Sequence, residues 1–201
     1  MKRLFLIVVA VLGLSMSESL SAQSGLLGAL KGVATELIDE ATGGQATALV
    51  LPGVWNYNTP AIRLQGSDTL SDALAGVAVS SFEQKLIQIY DKVGIKQGSC
   101  SFTFDTGDTF SMVVGSRCYN GKYEYNAEDH SLKLTFDTTL IRLGTLTGYA
   151  YINGESMDLV FDCSKFFDFL VKLGAKLSAT NSLSQMLEKY DGMMIGFTLA
   201  R

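Results

Sequence analysis

The sequence predicts a mainly β protein, a closed eight-stranded antiparallel β-barrel with helical insertions. After residue 99, apolar residues alternate with polar ones through six short segments. Turn-forming residues separate these segments in pairs, which is typical of hairpins. One further β-rich segment precedes the run and another ends the chain. These outer two strands can pair with each other, and a sheet closed in this way has no exposed edge.

The first 22 residues have the pattern of a cleaved secretory signal. A basic start, MKR, precedes an apolar run over residues 4–14, and the small residues Ser21 and Ala22 end the segment. About 11 apolar residues are too few to span a bilayer. No cysteine lies near the cleavage point, which argues against a lipid anchor. We expect a periplasmic or secreted protein whose mature chain has no transmembrane segment.

Residues 23–50 are predicted as a short amphipathic helix and a flexible linker ahead of the barrel domain, residues 51–201. Within residues 25–41 the apolar residues recur at helical spacing, and Thr42-Gly43-Gly44 ends the pattern. This helix either packs on the domain or frays, or it contacts a partner or a membrane surface. Its few basic residues weaken the membrane alternative. The apolar positions are Leu26, Leu30, Val33, Leu37 and Ile38.

The barrel domain is predicted to begin with a strand and a long helix. The strand covers residues 51–64 and is bent or interrupted at Thr59-Pro60, because proline cannot donate to a ladder. A helix of about 25 residues follows over residues 68–93 between strands 1 and 2, and Gly94 ends it.

Six strands follow in three hairpins, and helices precede the C-terminal strand. The predicted turns are residues 105–108, residues 127–130 and Asn153-Gly154. Helical patterns cover residues 164–176 and 181–190. The last strand, Met193 to Leu199, alternates apolar residues on one face.

Four segments carry a resemblance to a known family: GVWNYNTPA at 53–61, YDKVGIKQG at 90–98, SFTF at 101–104 and YDGM at 190–193. Together they resemble an exported bacterial family with a lipocalin-like, calycin-type domain of unknown function. The resemblance covers roughly residues 51–201; it implies a calycin-type barrel and no assigned activity. Lipocalins begin their first strand with Gly-x-Trp, the Trp closing one barrel end, and Gly53-Val54-Trp55 matches this pattern. No clear arginine partner for Trp55 is visible, and Arg201 is the only arginine near the last strand.

Composition argues against several classes of function. The formal net charge of −4 without basic clusters disfavours nucleic acid as a partner. The only histidine, His130, stands in a predicted turn, so no catalytic relay and no zinc cluster is expected. Turn carboxylates match no calcium loop, and Asp158 and Asp162 are predicted to face solvent. We therefore expect no catalytic residues, no metal and no cofactor.

The three cysteines, Cys100, Cys118 and Cys163, cannot all pair within one chain. Strand parity places Cys100 and Cys163 in the core as inert thiols. A bridge from Cys100 to Cys118 is disfavoured, because the predicted hairpin separates them by roughly 16 Å along the strand.

Aromatic and sulfur-containing residues dominate the predicted interior. They either fill a small barrel or line an apolar pocket. The leading hypothesis is a non-enzymatic binding protein that holds an apolar small molecule. The rival is an interaction module with a solid core, which contacts an envelope protein through its helices; an enzyme using tyrosine and carboxylate groups is the least favoured. The candidate ligand-binding residues are Trp55, Phe102, Phe104, Met112, Tyr123, Tyr125, Tyr149, Tyr151, Phe161 and Phe197.

Overall fold

The structure is a computed structural model that describes residues 45–64, 76–137, 143–175 and 192–201. Several predicted segments lie outside these residues. They are the signal at 1–22, the helix at 25–41, the first residues of the helix at 68–93, and the helix at 181–190.

The described residues form a closed antiparallel barrel whose eight strands follow one another in chain order. The last strand pairs with the seventh and with the first, so the predicted fold class is confirmed. The elements are α1 (Gln45–Val50), β1 (Gly53–Leu64), α2 (Gly76–Val93), β2 (Cys100–Phe104), β3 (Thr109–Val114), β4 (Arg117–Asn126), β5 (Ser131–Phe136), β6 (Thr145–Asn153), β7 (Ser156–Asp162), α3 (Cys163–Leu173) and β8 (Met193–Ala200).

Two hairpin turns lie at the predicted residues 105–108 and 127–130. The third loop is Gly154-Glu155, one residue later than the predicted Asn153-Gly154, because Asn153 still pairs with Ser156. Gly53, at the start of β1, pairs with Phe104, at the end of β2, so the turn after β2 lies beside the start of β1. Because the strands alternate in direction, all three turns share this end of the barrel, which we call the turn end. The opposite end carries α2 before β2 and α3 after β7, and we call it the helix end.

Pro60 does not interrupt β1, which continues to Leu64. The strand register shifts between Tyr57 and Thr59, so the irregularity lies at Asn58 and not at the predicted Thr59-Pro60. Beyond Asn56, β1 pairs only with β8. Proline has no backbone N–H to donate. It is tolerated there because this part of β1 forms hydrogen bonds with only one neighbouring strand.

α2 lies against the part of β1 that has no β2 neighbour. Thr59 Oγ1 donates to Glu83 Oε1 over 2.9 Å, and Gln97 Nε2 donates to the Asn58 carbonyl over 2.8 Å. The helix ends before Gly94, whose φ of +90° is the left-handed conformation that glycine adopts most readily. The predicted end of this helix is therefore observed.

α3 is fixed by a cap at each end. The Asp162 carboxylate accepts a hydrogen bond from the Lys165 N–H over 3.1 Å, and Gly174 forms a left-handed C-cap. Asp162 is predicted to face solvent, and its side chain is exposed. The same side chain also caps the N-terminus of α3. The buried face of α3 includes the predicted apolar positions Phe166, Phe169, Leu170 and Leu173.

α1 occupies six residues of the range predicted as helix and linker. Val50 belongs to the buried core, together with Leu51, the residue that follows α1. The packed part of the chain therefore extends a few residues ahead of residue 51.

Candidate functional site: the barrel interior and the outer wall

Trp55 closes the turn end of the barrel. Its ring is fully buried, and its Nε1 donates a hydrogen bond to the Leu51 carbonyl over 2.8 Å. The Arg201 guanidinium lies 4.4 Å from the centre of the Trp55 ring, a cation–π arrangement. Arg201 also donates to the carbonyls of Val50 and Pro52. The expectation that Trp55 has no arginine partner was wrong, because β8 ends beside the start of β1 and delivers Arg201 to it.

Most of the predicted interior residues do point into the barrel. Tyr125 is half-buried and packs against the core, with its hydroxyl 3.1 Å from His130 Nδ1. Tyr123 donates its hydroxyl to the Asp105 carbonyl over 2.8 Å, and burial raises the pKa of this phenol. The fully or almost fully buried members of the predicted set are Trp55, Phe102, Phe104, Met112, Tyr123, Phe161 and Phe197.

The interior rings contact each other at separations typical of paired aromatic side chains. Phe102 lies 5.3 Å from Phe197 between ring centroids, and Phe197 lies 5.2 Å from Phe166 of α3. Phe104 lies 5.1 Å from Tyr123. The core is therefore a connected set of rings that includes a ring from outside the barrel wall.

α2 supplies a second such ring. Tyr90 is fully buried, and its hydroxyl donates to the Gly196 carbonyl of β8 over 2.8 Å. Its ring centroid lies 5.6 Å from Phe197 and 5.9 Å from Phe166. Burial raises the pKa of Tyr90 well above that of a free phenol. Apolar spacing indicates that this side of α2 is buried, but it does not indicate that Tyr90 enters the barrel.

Two glycines make room for these rings. A Cβ added to Gly121 would lie 2.7 Å from Cε1 of Phe110, and one added to Gly148 would lie 2.7 Å from Cε1 of Phe161. Both distances are shorter than real Cβ atoms show. The missing side chains therefore leave space that the neighbouring rings use.

Tyr149 and Tyr151 were predicted to line the interior, and this placement was wrong. In β6 the residues Ala150 and Ile152 are buried inside, so the two tyrosines lie on the outer wall and are half-buried there. The physical reason is the width of the barrel. Phe161 of β7 lies opposite Gly148, and the inward positions of β6 closest to this ring are the small residues Gly148 and Ala150.

The two tyrosines form part of a separate cluster on the outer wall. Their ring centroids lie 6.4 Å apart and their planes are 20° apart. The Arg63 guanidinium lies 4.2 Å from the Tyr151 ring centre, and Arg63 Nε lies 3.8 Å from Asp158 Oδ2. Asp158 also accepts a hydrogen bond from Thr198 Oγ1 over 2.8 Å, so this outward carboxylate is held in a polar network. We call this cluster the outer patch: Ala61, Arg63, Tyr149, Tyr151, Asp158, Val160, Met194 and Thr198.

The described residues offer little reactive chemistry. Among them, no group of three or more His, Cys, Asp and Glu side chains could hold a metal ion. The turn carboxylates bond locally: Asp129 accepts from the Ser131 N–H over 3.0 Å, and hydrogen bonds from Ser131 lower its pKa. Within the described ranges, no helix is long and apolar enough to cross a membrane.

All three thiols are free, as the sequence favours. Cys100 lies opposite Val114 and Cys118 opposite Val113, so the two side chains point to opposite faces of the wall. Cys100 and Cys163 are buried, whereas Cys118 is exposed. Burial raises the pKa of both buried thiols to about 12.

The closed eight-stranded barrel with a tryptophan at one end defines a lipocalin-like protein, a class of fold generally used for binding rather than catalysis. The chain belongs to the family described as Lipocalin-like domain (DUF4923), which it matches over residues 3–201. Among solved structures it is similar to a DUF4847 family protein from Bacteroides vulgatus, with 12% identity and a TM-score of 0.37. That similarity covers 74% of this chain and 91% of the other. No curated protein matches the chain.

Replacing Arg201 by alanine should destabilise the turn end. The variant loses the cation–π contact and two hydrogen bonds from a charged donor, so we expect the free energy of unfolding to fall by about 1–3 kcal/mol. Urea unfolding followed by emission from Trp55, the only tryptophan, measures this loss. Arg201→Lys keeps the positive charge but lacks the planar guanidinium group. Its free energy of unfolding should therefore lie between those of the unchanged protein and Arg201→Ala. Equal stability of all three proteins would contradict the assigned role.

The buried thiols should resist modification and weaken the fold at high pH. At neutral pH a thiol reagent should label Cys118 alone in the folded protein, and all three cysteines after unfolding.

Because burial raises the pKa of Cys100 and Cys163 from 9.0 to about 12, the folded state keeps protons that the unfolded chain releases. Their contribution to stability is complete below pH 9 and declines as the pH rises towards 12. Cys118→Ser should leave this decline of stability with pH unchanged, because Cys118 is exposed. Rapid labelling of more than one thiol in the folded protein would contradict the burial of Cys100 and Cys163.

Proposed function

We propose that this protein is an exported, non-enzymatic binding protein whose barrel is a solid scaffold, and that it contacts an envelope protein through the helices at its helix end. The observation that carries the proposal is the insertion of Tyr90 and Phe166 from two helices among the rings of the barrel core. The side chains of this chain thus occupy the place where an internal ligand would sit.

The width of the barrel supports a solid scaffold. An eight-stranded barrel is only just wide enough for side chains or one small ligand, and sites for small molecules are cavities of about 300–1,000 Å³. Here the interior side chains from β2 to β8 are almost all buried and in contact. Trp55 and Arg201 close the turn end, and α2 and α3 supply rings at the helix end.

The helix end also exposes apolar side chains. Ile87 of α2 is 39% exposed and Val171 of α3 is 50% exposed, although both are large hydrophobic residues. Apolar residues are typical of the central part of protein interfaces. The predicted secretory signal supports an envelope or extracellular location for the partner.

A second candidate is the binding of an apolar small molecule inside the barrel. Tyr90 and Phe166 favour this candidate because they belong to helices and not to the strands of the wall. A helix can move away from the barrel without breaking the sheet. α2 contacts β1, and the hydrogen bond from Thr59 to Glu83 joins the two elements. Outward movement of α2 would remove Tyr90 from the interior and leave space of ring size.

Native mass spectrometry of the protein purified from its source separates the two candidates. A solid scaffold predicts the mass of the chain alone and no recovered compound after organic extraction. A stoichiometric apolar compound would instead establish the internal site and contradict the solid scaffold. Tyr90→Ala sharpens the test, because it should raise occupancy by small apolar ligands under the second candidate alone. Tyr90→Phe is the matched control, since it keeps the ring and loses only the bond to Gly196.

The interaction surface is tested by aspartate at Ile87. We expect Ile87→Asp to abolish capture of the envelope partner from membrane and periplasmic extracts, because a charge would be buried in the contact. The matched control is Leu49→Asp, an equally large change at an apolar residue that is 57% exposed near the turn end. Loss of capture in both variants, or in neither, would exclude the α2 surface.

A further inference from the structure

The sequence contains two Asn-Gly pairs, Asn120-Gly121 and Asn153-Gly154. In such a pair the backbone nitrogen of the glycine can attack the side-chain amide of the asparagine, because glycine has no side chain to hinder the approach. Asparagine is a thermolabile residue in proteins for this kind of reason. The reaction also needs rotation of the backbone between the two residues, so the fold decides which pair reacts.

The backbone at Asn120-Gly121 is held on both sides. The pair lies within β4, which has β3 on one side and β5 on the other. The Asn120 carbonyl accepts a hydrogen bond from the Asp137 N–H over 2.8 Å, and a Cβ added to Gly121 would collide with the Thr135 carbonyl oxygen. Rotation here would require the sheet to open on both sides of β4.

The backbone at Asn153-Gly154 lies at the end of a hairpin. Asn153 is the last residue of β6 and forms the final pair of the hairpin with Ser156, where local opening costs least. Gly154 has a φ of +62°, and a Cβ added to it would meet no atom of the described residues within 4 Å. Asn120 and Asn153 are both exposed, so access of water to the amide does not distinguish the pairs. Their positions in the sheet do.

We propose that Asn153 is a site of spontaneous deamidation in the folded protein. The Gly154 backbone nitrogen attacks Cγ of Asn153, and a bond forms between these two atoms. The bond from Cγ to the side-chain nitrogen breaks, and this nitrogen takes the proton from Gly154 and leaves as ammonia. Water then opens the cyclic imide at either carbonyl, giving aspartate or isoaspartate. The proposal does not depend on what the protein binds.

The modified loop lies beside the contact that seals the turn end. The Arg201 N–H donates to the Glu155 carbonyl over 3.1 Å, and Ser156 lies opposite Ala200. Isoaspartate lengthens the main chain by one carbon atom just before Glu155, so this carbonyl must shift relative to β8. Arg201 covers the Trp55 ring with its guanidinium group. Isoaspartate at this position should therefore weaken the turn end.

Ageing of the complete purified protein in mildly alkaline buffer tests the proposed site. Peptide mass spectrometry should find deamidation at Asn153 about tenfold faster than at Asn120, because the end of a hairpin opens more readily than the middle of a sheet. In urea the two pairs should react at similar rates, since the fold no longer separates them. Equal rates in the folded protein, faster reaction at Asn120, or no reaction at either pair would overturn the proposal.

The matched control for the site is Asn153→Gln. Glutamine keeps the amide but reacts through a larger ring that closes far more slowly, so the product at this position should disappear. The rate at Asn120 should stay unchanged in this variant. Persistence of the charge change in Asn153→Gln would assign the reaction to another residue and contradict the proposal.

A comparison of two modified forms tests the consequence for the turn end. Asn153→Asp introduces the new negative charge with an ordinary backbone, whereas aged protein also contains isoaspartate. Ion exchange separates the aged fraction, and a methyltransferase specific for isoaspartyl groups verifies its content. The isoaspartate fraction should unfold at a lower urea concentration than Asn153→Asp, as measured by emission from Trp55. Equal midpoints would contradict the link between this loop and Arg201.

Discussion

The pairing of β8 with β1 is the contact on which the rest of the structure depends. It runs from Asn56 opposite Ala200 to Leu64 opposite Met193, and it closes the sheet. The same pairing places Arg201 over Trp55 and brings the Gly196 carbonyl within reach of Tyr90. Barrel closure, the sealed turn end and the anchoring of α2 therefore have one origin.

The small interior is the second constraint. Eight strands leave little room, so large rings on one strand require small residues on the next, as Phe161 and Gly148 show. Space that the strands do not fill is taken by Tyr90 and Phe166 from the helices. A fold class generally used for binding thus appears here with its interior occupied by its own side chains.

Much of the fold could be predicted because its signals are local. Alternation and turn residues defined the three hairpins, and the glycine after α2 and the apolar face of α3 marked these helices correctly. The parity of Phe102, Phe104 and Phe197 followed from the same alternation. Cys100 and Cys163 were placed correctly for this reason too.

The predictions that were wrong concern contacts between strands, which the residue pattern of a single strand does not reveal. Tyr149 and Tyr151 alternate as regularly as the phenylalanines, and only the neighbouring strand decides which face has room for them. Arg201 meets Trp55 because two distant segments become adjacent. The bulge at Asn58 lies in the pairing of β1 with β8, just beyond the last pair that β1 makes with β2. Candidate sites built from such contacts need the register, which the sequence alone does not specify.

The closing contact also affects how the chain folds. The three hairpins join residues close in sequence, whereas β1 and β8 stand at opposite ends of the described chain, so their pairing carries a large loop-closure entropy. Until it forms, both strands present unpaired backbone edges, which are templates for aggregation. Because the β1–β8 pairing brings Arg201 to Trp55, burial of Trp55 reports closure of the barrel. The side chain that seals the turn end is thus a natural fluorescent probe of whether the two outer strands have met.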